Sequence, residues 1–513
     1  MGEIERIPIL HLIPFETLIN KESMQDFQRY LLPRKSIGVI IIVIGVAIGV
    51  FTYIQISLQQ NEATHSITNR NQNPYIEEYS LPVGSWPNGI IADKQGTIWA
   101  AASKTNKLFS LEPKSGMIKE YPINDEDFTS DNLERNSTMV WAIVQDNDGV
   151  IWFSPLGTKS IWTFDSTTGK FHMIKSETGS SFQMKVDKNG DIWFTTLSKD
   201  TLGVIQSMGN DRYKVSSFYL GNDTGPAGIF LQDDSVWIAE VITQKIVQYK
   251  ISQQKELVRN ITKTLEIPAS VKTILSAPTD LIVSDNTVWL TEHDTSFLTE
   301  YKLSSSDVVR YPTSQNFYHA TTLPFWIRNT SDGKGLWFNE HEGNKLAYFD
   351  IYNRTLLEYN IPSLPKDGFL TYPLNIALDP FDDKKLWFSE WNTDKIGLVN
   401  GKTAIHFGIS ADTDKIMLRN DTSKGNIVNL EVSGQSPYSS NEVFLNASSS
   451  IMPTAGFGNM TVKFSSSVLD LSSSHRAQLF LQNHGVPAGN YTLGISASDG
   501  FVTKTIFLDL VIP

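Results

Sequence analysis

One pattern of apolar and polar positions recurs seven times between residues 75 and 402. Each unit combines a short apolar run, a turn rich in Asp, Asn and Gly, a tryptophan flanked by apolar residues, a polar loop and a further alternating run. Alternation with period two predicts β-strands, and the turn residues predict hairpins between them. Four strands per unit at this spacing predict an all-β fold, a seven-bladed β-propeller. The repeat tryptophans, spaced 41 to 53 residues apart, are Trp99, Trp152, Trp193, Trp237, Trp289, Trp337 and Trp387.

The two ends of the repeat predict how the propeller closes. A single blade exposes its apolar faces, so the blades must stack and the ring must close. Two runs, YIEEYSLP (75–82) and AIHFGIS (404–410), each have the pattern of the outer strand of blade seven. We favour the N-terminal run as the closing strand, which leaves the second run to lead into the next domain.

An uncharged apolar stretch predicts a transmembrane helix over residues 36–58. Its sequence, SIGVIIIVIGVAIGVFTYIQISL, has about the 20 residues that span a bilayer. Arg34 and Lys35 stand before it, whereas the first charge beyond it is Glu62. The positive-inside rule therefore predicts that residues 1–35 are cytoplasmic and that the propeller is extracytoplasmic.

A cleaved signal peptide is the alternative for this stretch. The apolar run is long, many residues precede it, and no small-x-small cleavage site follows it closely, so we favour an uncleaved anchor. Residues 59–74 are polar and unpatterned, which predicts a flexible spacer between the membrane and the propeller.

The composition changes after residue 402. Residues 403–513 contain no tryptophan, are dense in serine and lose the blade period. About six short alternating runs, among them RAQLFLQN and TKTIFLDLVIP, predict a β-sandwich. The ending GNYTLGISASDGFVTKTIFLDLVI is similar to the closing hairpin of immunoglobulin-like domains, a resemblance that implies a spacing or adhesive role.

Charge and cysteine content exclude several classes of function. The net charge is −12 and no basic cluster follows the membrane edge, which argues against a nucleic-acid partner. The chain has no cysteine, so disulfides, thiol catalysis and zinc-thiolate sites are excluded.

Three repeat units carry a family resemblance. The segments GPAGIFLQDDSVWIAE, GLWFNEHEGNKLAYFD and LWFSEWNTDKIGLVNGK are similar to the G-P-x-G-I, W-F-T-E and N-K-I-G repeat of the streptogramin B (virginiamycin B) lyases. The resemblance covers about residues 75–402. It implies a seven-bladed propeller, and an activity that linearises a cyclic depsipeptide antibiotic by elimination with a magnesium ion and a histidine that handles the proton.

The matched positions do not carry the groups that this activity needs. In the lyases the x of P-x-G-I is a tyrosine in blade one and a histidine in blades six and seven. Here the resemblance places Asn88, Phe325 and Leu374 at those positions, and none of these side chains can take a proton from a carbon. In the middle blades the matched positions are Trp141, Gln183, Ala227 and Thr279.

Other polar groups are expected around the channel mouth, in the loops after W-F-x-E. Carboxylates converging with imidazoles could bind Mg²⁺ or serve as acid and base. Alternatively each glutamate, being the repeat's consensus residue, accepts hydrogen bonds from the neighbouring blade's loop. The expected acid–base groups are Glu292, His293, Glu340 and His341, and the expected metal ligands are Glu340, Glu342 and Glu390.

Two functional hypotheses follow from these observations. The first is a membrane-anchored propeller that recognises a small molecule, a glycan or a protein at its channel mouth. The second is a divalent-metal-dependent lyase or hydrolase that acts on a cyclic ester or lactone there, so the sequence leaves open whether the protein is an enzyme. The residues expected to contact a ligand are Asn88, Trp141, Thr279, Phe325, Leu374 and Trp391.

Overall fold

The structure of the chain is a computed structural model. It describes residues 73–123, 139–155, 160–176, 180–209, 212–252, 257–266, 277–314, 321–363, 371–419, 425–434, 442–451, 459–473 and 475–513. The predicted cytoplasmic segment, the predicted transmembrane helix over residues 36–58 and most of the predicted spacer lie outside these ranges. Within them, no helix has the length and apolar character needed to cross a bilayer.

A first strand, β1 (Ile76–Ser80), precedes six consecutive four-stranded antiparallel blades. Blade one is β2 (Pro87–Ala92), β3 (Ile98–Ala102), β4 (Lys107–Glu112) and β5 (Met117–Pro122), and blade two is β6 (Val140–Gln145), β7 (Ile151–Pro155), β8 (Ser160–Asp165) and β9 (Lys170–Lys175). Blade three is β10 (Gln183–Val186), β11 (Ile192–Thr196), β12 (Thr201–Ser207) and β13 (Tyr213–Tyr219), with a short 3-10 turn at Leu197–Lys199. Blade four is β14 (Pro226–Gln232), β15 (Ser235–Glu240), β16 (Lys245–Ile251) and β17 (Leu257–Glu266).

The remaining blades repeat this order. Blade five is β18 (Pro278–Ser284), β19 (Thr287–Glu292), β20 (Phe297–Lys302) and β21 (Val308–Pro312), and blade six is β22 (Pro324–Asn329), β23 (Gly335–Glu340), β24 (Lys345–Asp350) and β25 (Thr355–Asn360). Blade seven starts with β26 (Pro373–Asp379), β27 (Asp382–Glu390) and β28 (Lys395–Asn400). The first strand of each blade contacts that of the next in a closed cycle, so the predicted β-propeller is confirmed.

The N-terminal strand closes the ring, as predicted. Strand β1 pairs antiparallel with β28, in a register that sets Ile76 opposite Val399 and Ser80 opposite Lys395. The backbone amide of Leu81 continues the pairing, because it donates to the carbonyl of Asp394 at 2.8 Å. The competing run at 404–410 instead leads into the C-terminal strands.

Four of the seven repeat tryptophans, Trp99, Trp152, Trp193 and Trp387, donate to an aspartate of the turn that precedes them. Trp99 Nε1 donates to Asp93 Oδ2 at 2.9 Å, and Asp93 Oδ1 accepts the amide of Thr97 within the same hairpin turn. Trp152 and Asp146 make the equivalent bond at 2.7 Å. One aspartate therefore caps a turn and orients the ring that packs between blades, which explains why turn chemistry and tryptophan recur together.

The C-terminal region forms two sheets with alternating burial along their strands. One contains β29 (Phe407–Ala411), β31 (Asn426–Gly434), β35 (Arg476–Asn483) and β33 (Met460–Phe464), in that order. The other contains β37 (Val502–Ile512), β36 (Gly489–Ser498), β32 (Glu442–Ser449) and β34 (Val468–Asp470), with β30 (Lys415–Met417) parallel to β37. Alternate residues of β31 and β35 are buried, as a two-sheet core requires.

The second C-terminal sheet is continuous with blade six. Strand β37 pairs antiparallel with β25, from Thr355 opposite Ile506 to Tyr359 opposite Val502, so blade six and this sheet share nine strands. Residues Asn73–Pro513 accordingly form one compact unit. The sequence patterns did not predict this pairing.

Apolar and charged side chains reinforce the junction. Phe507 of β37 packs on Tyr311 and Phe349 of blades five and six, with ring centroids 5.2 and 6.1 Å apart. Arg354 donates to Asp509 Oδ1 at 2.8 Å and lies 5.6 Å from the ring centroid of Tyr311. The C-terminal sheet therefore contributes to the core of the propeller as well as to its own.

This junction gives the first testable expectation. Replacing Phe507, which is 6 % exposed, by alanine leaves a cavity shared by two blades and the C-terminal sheet, and should cost about 3–5 kcal/mol of unfolding free energy. Phe480→Ala is the matched control, because Phe480 lies in the other C-terminal sheet and is 37 % exposed. Chemical denaturation should show one transition that Phe507→Ala lowers as a whole. Separate propeller and C-terminal transitions, with only one affected, would contradict the shared core.

Candidate functional site

One end of the channel, here called the mouth, is formed where first strands begin and second strands end. The residue pairs Pro278 with Glu292 and Pro324 with Glu340 stand opposite each other at these strand ends. In six blades the first strand has a register shift just after its first residue. This bulge turns the following side chain toward the mouth of the channel.

Left-handed backbone recurs at the residue before these strands. In four blades the residue before the proline that starts the first strand has φ between 44° and 52°: Trp86, Ala277, Leu323 and Tyr372. In blade four the residue at this position is Gly225. Non-glycine residues reach this conformation at a cost of about 1–2 kcal/mol. Strain of this kind clusters at functional sites, and here it places Trp86 and Tyr372, both partly exposed, at the mouth.

Four aromatic rings pack together across the channel, and we call them the aromatic plug. Trp141 lies 5.6 Å from both Phe182 and Phe325, measured between ring centroids. Trp326 lies 5.4 Å from Phe182 and 4.6 Å from Phe325. All four side chains are buried. The plug fills the centre of the ring below the mouth.

The plug corrects one position of the sequence comparison. Gln183 was matched to Trp141, but the structure places Phe182 there, because Gln183 faces Thr195 as Ala142 faces Ser154. Blades two and three have the same register, since Val144 and Lys185 each stand opposite the repeat tryptophan. The available signal was the distance to that tryptophan, because Trp141 precedes Trp152 by as many residues as Phe182 precedes Trp193.

Two histidines meet beside the plug, as the sequence predicted. His293 Nε2 and His341 Nδ1 are 3.3 Å apart, and both residues are 1 % exposed. Phe325 packs on both imidazoles at 5.0 and 5.8 Å, and Tyr372 lies 5.2 Å from His341. One ring nitrogen can donate to the other, and the tautomers of the two imidazoles decide which one does.

A carboxylate that sequence reasoning missed stands behind the pair. Asp294 Oδ1 lies 3.8 Å from His293 Nδ1, beyond hydrogen-bond distance but within reach of an ion pair when the imidazole is charged. Asp294 directly follows His293 in the sequence EHD, and this adjacency could have indicated a carboxylate beside the imidazole. The three groups form a row from carboxylate to imidazole to imidazole.

The repeat glutamates turn into their own blades. Glu292 is fully buried and accepts hydrogen bonds from Thr299 and, at 2.8 Å, from Arg310 Nε of the outer strand. Glu390 accepts from Thr393 of the following loop at 2.6 Å. For Glu292 and Glu390 these partners come from the same blade, whereas the alternative drawn from the sequence expected them from the neighbouring blade's loop. These carboxylates support the blade rather than line the mouth.

Burial also raises the pKa values of two repeat glutamates. Burial, and after it the neighbouring Glu358 carboxylate, raises the pKa of Glu340 well above its usual range. Burial and then Glu78 do the same to the pKa of Glu390. A carboxyl group must lose its proton to bind a divalent cation, so a raised pKa weakens it as a ligand.

The predicted magnesium ligands therefore do not converge. Glu340 lies 4.0 Å from Lys345 within blade six, and Glu390 lies within blade seven. Glu342 is partly exposed in the loop after β23, where its backbone amide bonds to Thr322. The described residues include no group of three or more His, Asp or Glu side chains that could hold a metal ion. The residues present do not fit a magnesium site.

The seam between blades one and seven carries buried polar groups without partners. Asn88 is fully buried, and neither end of its amide has a hydrogen-bond partner among the described residues. Trp391 is also buried, and its Nε1 has no hydrogen-bond partner among the described residues. Trp86 packs 5.2 Å from Trp391 and carries Lys104 over its outer face at 3.0 Å. Orphaned donors and acceptors of this kind mark places where water or a ligand binds.

The last two predicted contact residues are enclosed. Thr279 is buried and its hydroxyl donates to the carbonyl of Ala277 at 2.9 Å. Leu374 is fully buried at the start of β26. The structure thus groups Trp141, Phe325 and the histidines together, and places Asn88 and Trp391 at the seam between blades one and seven.

Arg310 supplies a test of the structural role of the glutamates. It occupies the place held in blade one by Glu120, whose partner is Lys107, whereas Phe297 holds the place of Lys107 in blade five and Arg310 pairs with Glu292 instead. Arg310→Ala leaves Glu292 buried and unpaired and should cost about 3–5 kcal/mol in chemical denaturation. Lys107→Ala breaks a pair whose side chains are 31 % and 41 % exposed, and should cost less than about 1 kcal/mol. Equal effects of the two substitutions would refute the role.

Comparison with known proteins agrees with this fold. The Virginiamycin B lyase family matches residues 126–413, more than half of the chain. A search of curated proteins finds no match.

Solved structures give the same picture. A streptogramin B lyase has 23 % identity and a TM-score of 0.50, covering 65 % of this chain and 99 % of its own. Virginiamycin B lyase from Staphylococcus aureus has 22 % identity and a TM-score of 0.50, covering 63 % of this chain and 98 % of its own. A catalytically inactive form of that enzyme, with quinupristin, matches equally well. At these identities the structures show a shared fold, and the matched residues show that the chain belongs to the Virginiamycin B lyase family.

Proposed function

We propose that this protein is a membrane-anchored, extracytoplasmic propeller that recognises a ligand at its mouth. One observation carries the proposal. The positions matched to the lyase's proton-handling residues hold Asn88, Phe325 and Leu374, and all three are buried with no acid or base among them. The fold is that of the family, whereas its chemistry has no equivalent groups at those positions.

The accessible part of the mouth suits recognition. Trp86 and Tyr372 are partly exposed, and the neighbouring Asn88 amide and Trp391 Nε1 have unused hydrogen-bonding capacity. An aromatic face beside a fixed amide is a common way to bind a sugar ring, a peptide or an aromatic small molecule. The ligand would contact the exposed parts of Trp86 and Tyr372.

The other parts of the chain fit this role. The uncharged stretch at 36–58, with basic residues on its N-terminal side, supports an anchor with the propeller outside. The two-sheet C-terminal region supports an immunoglobulin-like module that spaces or adheres. Because β37 pairs with β25, that module would present the mouth in a fixed orientation.

Ligand binding tests the proposal. The full-length chain in detergent should bind at least one probe from an array of cell-surface glycans or quinupristin, the molecule in the relative's structure. Trp86→Ala should weaken that binding about tenfold or more, as loss of a central aromatic contact does. Phe381→Ala is the control, because Phe381 is 73 % exposed in the turn at the opposite end of blade seven. Binding that Trp86→Ala leaves unchanged would contradict recognition at the mouth.

A second candidate function rests on the histidine pair. His293 and His341 in contact, with Asp294 behind them, could act as a base that opens a cyclic ester or lactone. Chromatography of quinupristin with mass detection separates the outcomes, because elimination leaves the mass unchanged and hydrolysis adds one water. Ring opening that is lost in both His293→Ala and His341→Ala would establish the enzyme and displace the recognition proposal.

The anchor has its own test. The apolar stretch at 36–58 should retain the full-length chain in the membrane pellet after extraction at alkaline pH, and a chain beginning at Glu62 should be soluble. Protease added to intact cells should digest the propeller of the full-length chain. Release of the full-length chain at alkaline pH, or protection of its propeller, would contradict the proposed topology.

A further inference from the structure

A cavity of about 210 Å³ lies in the channel beyond the aromatic plug. The first strands of blades one, two, three, six and seven line it, and most of the lining residues are aliphatic, Ile90, Met184 and Ile376 among them, while polar atoms make up about half of the exposed wall. Ala92, Val144 and Leu378 also line it, at the ends of their strands away from the mouth. The cavity is therefore distinct from the mouth and extends toward the opposite face of the propeller.

Two cationic side chains project into this space. Lys185 of β10 stands opposite Trp193, and Arg328 of β22 stands opposite Trp337, so the two cations occupy equivalent positions in blades three and six. The other blades have Ile91, Val144, Phe230, Ile282 and Ala377 at this position. Blades three and six therefore have a cationic residue at a position where the other five blades have an apolar residue.

Two neutral donors line the same cavity. Gln183 is 5 % exposed, and its Oε1 accepts the amide of Ile229 while its Nε2 has no acceptor among the described residues. Trp326 is 1 % exposed, and its Nε1 also lacks an acceptor there. The guanidinium carbon of Arg328 lies 5.9 Å from the centroid of the Trp326 ring. Four donor side chains therefore surround one small space.

The carboxylate of Asp280, which lies next to Arg328, already accepts hydrogen bonds from other groups. Asp280 Oδ2 accepts from Arg328 Nη1 at 2.9 Å and from the amide of Ile327 at 3.1 Å, and its Oδ1 accepts from the amide of Leu281 at 3.0 Å. The ammonium group of the Lys185 side chain has no hydrogen bond or ion pair to any of the described residues. Two cations and one carboxylate leave an excess of one positive charge at the cavity.

The ionisation of Lys185 reflects this shortage of acceptors. Burial, and then the nearby Arg328, lowers the pKa of Lys185 to about 8, against the smaller opposing effect of Asp280. A bound anion would restore the favourable partner that the ammonium group lacks.

We propose that this cavity binds a small organic oxyanion, such as a carboxylate or a sulfate or phosphate ester, whose compact apolar body packs against the aliphatic wall. Lys185 and the free edge of Arg328 donate charge-assisted hydrogen bonds to the oxyanion, and Gln183 and Trp326 complete its donor set. The site does not depend on the function of the mouth. It gives the channel a second ligand on the far side of the plug.

Calorimetric titration of the full-length chain in detergent tests the charge requirement. Sulfate and benzoate are the probes, and Lys185→Met should weaken both about tenfold or more, as loss of a charged hydrogen bond does. Lys188→Met is the matched control, because it makes the same charge change on an exposed residue of the same hairpin. Lys185→Arg should retain binding, which separates loss of the charge from loss of the fold.

Two further comparisons complete the test. Benzoate should bind more tightly than acetate, because only benzoate reaches the aliphatic wall. Sulfate keeps its charge between about pH 6 and 9, so its affinity should fall as pH rises through the pKa of Lys185, while Arg328 and Asp280 stay ionised. Absence of sulfate and benzoate binding, equal binding by Lys185→Met and Lys188→Met, or benzoate no tighter than acetate would overturn the proposal.

Discussion

The pairing of β1 with β28 is the contact on which the rest of the structure depends. Blades expose apolar faces until the ring closes, and this pairing supplies the fourth strand of blade seven. Asn73, just before β1, adds further contacts to this closure. Its side-chain Nδ2 donates to the backbone carbonyls of Asn360 and Phe501 at 2.7 and 2.9 Å. The N-terminal strand, blade six and the C-terminal sheet are thus joined at one place, and the mouth residues Trp86 and Asn88 follow directly.

Closure makes every blade contribute the same positions to the channel, so function is determined by which residue type fills each position. Blades four to seven keep the repeat's glutamate, and in blade five its partner Arg310 lies within the same blade. On the inner strands, aromatic residues form the plug, and Lys185 and Arg328 replace apolar residues beyond it. A single scaffold can therefore carry a recognition surface at one end and an anion-binding cavity at the other.

Local patterns predicted much of this fold, because hairpins and blades depend on residues close in sequence. The blade count, the closing strand and the contact between His293 and His341 all follow from the repeat. Two features were not predictable in this way. The pairing of β25 with β37 joins strands about 150 residues apart, and the partners of the glutamates depend on side-chain direction. Both are decided by packing that no local pattern encodes.

Hydrogen exchange in β1 tests the central claim most directly. In the full-length chain, the amides in and just after β1 that face β28, those of Glu77, Tyr79 and Leu81, should exchange as slowly as the bonded amides of β27 and β28, because they open only when the whole ring opens. The amides of the mouth segment that follows should show protection that depends on this strand. Rapid exchange throughout residues 76–81, with β27 and β28 still protected, would show that the ring is closed without the N-terminal strand and would contradict the account.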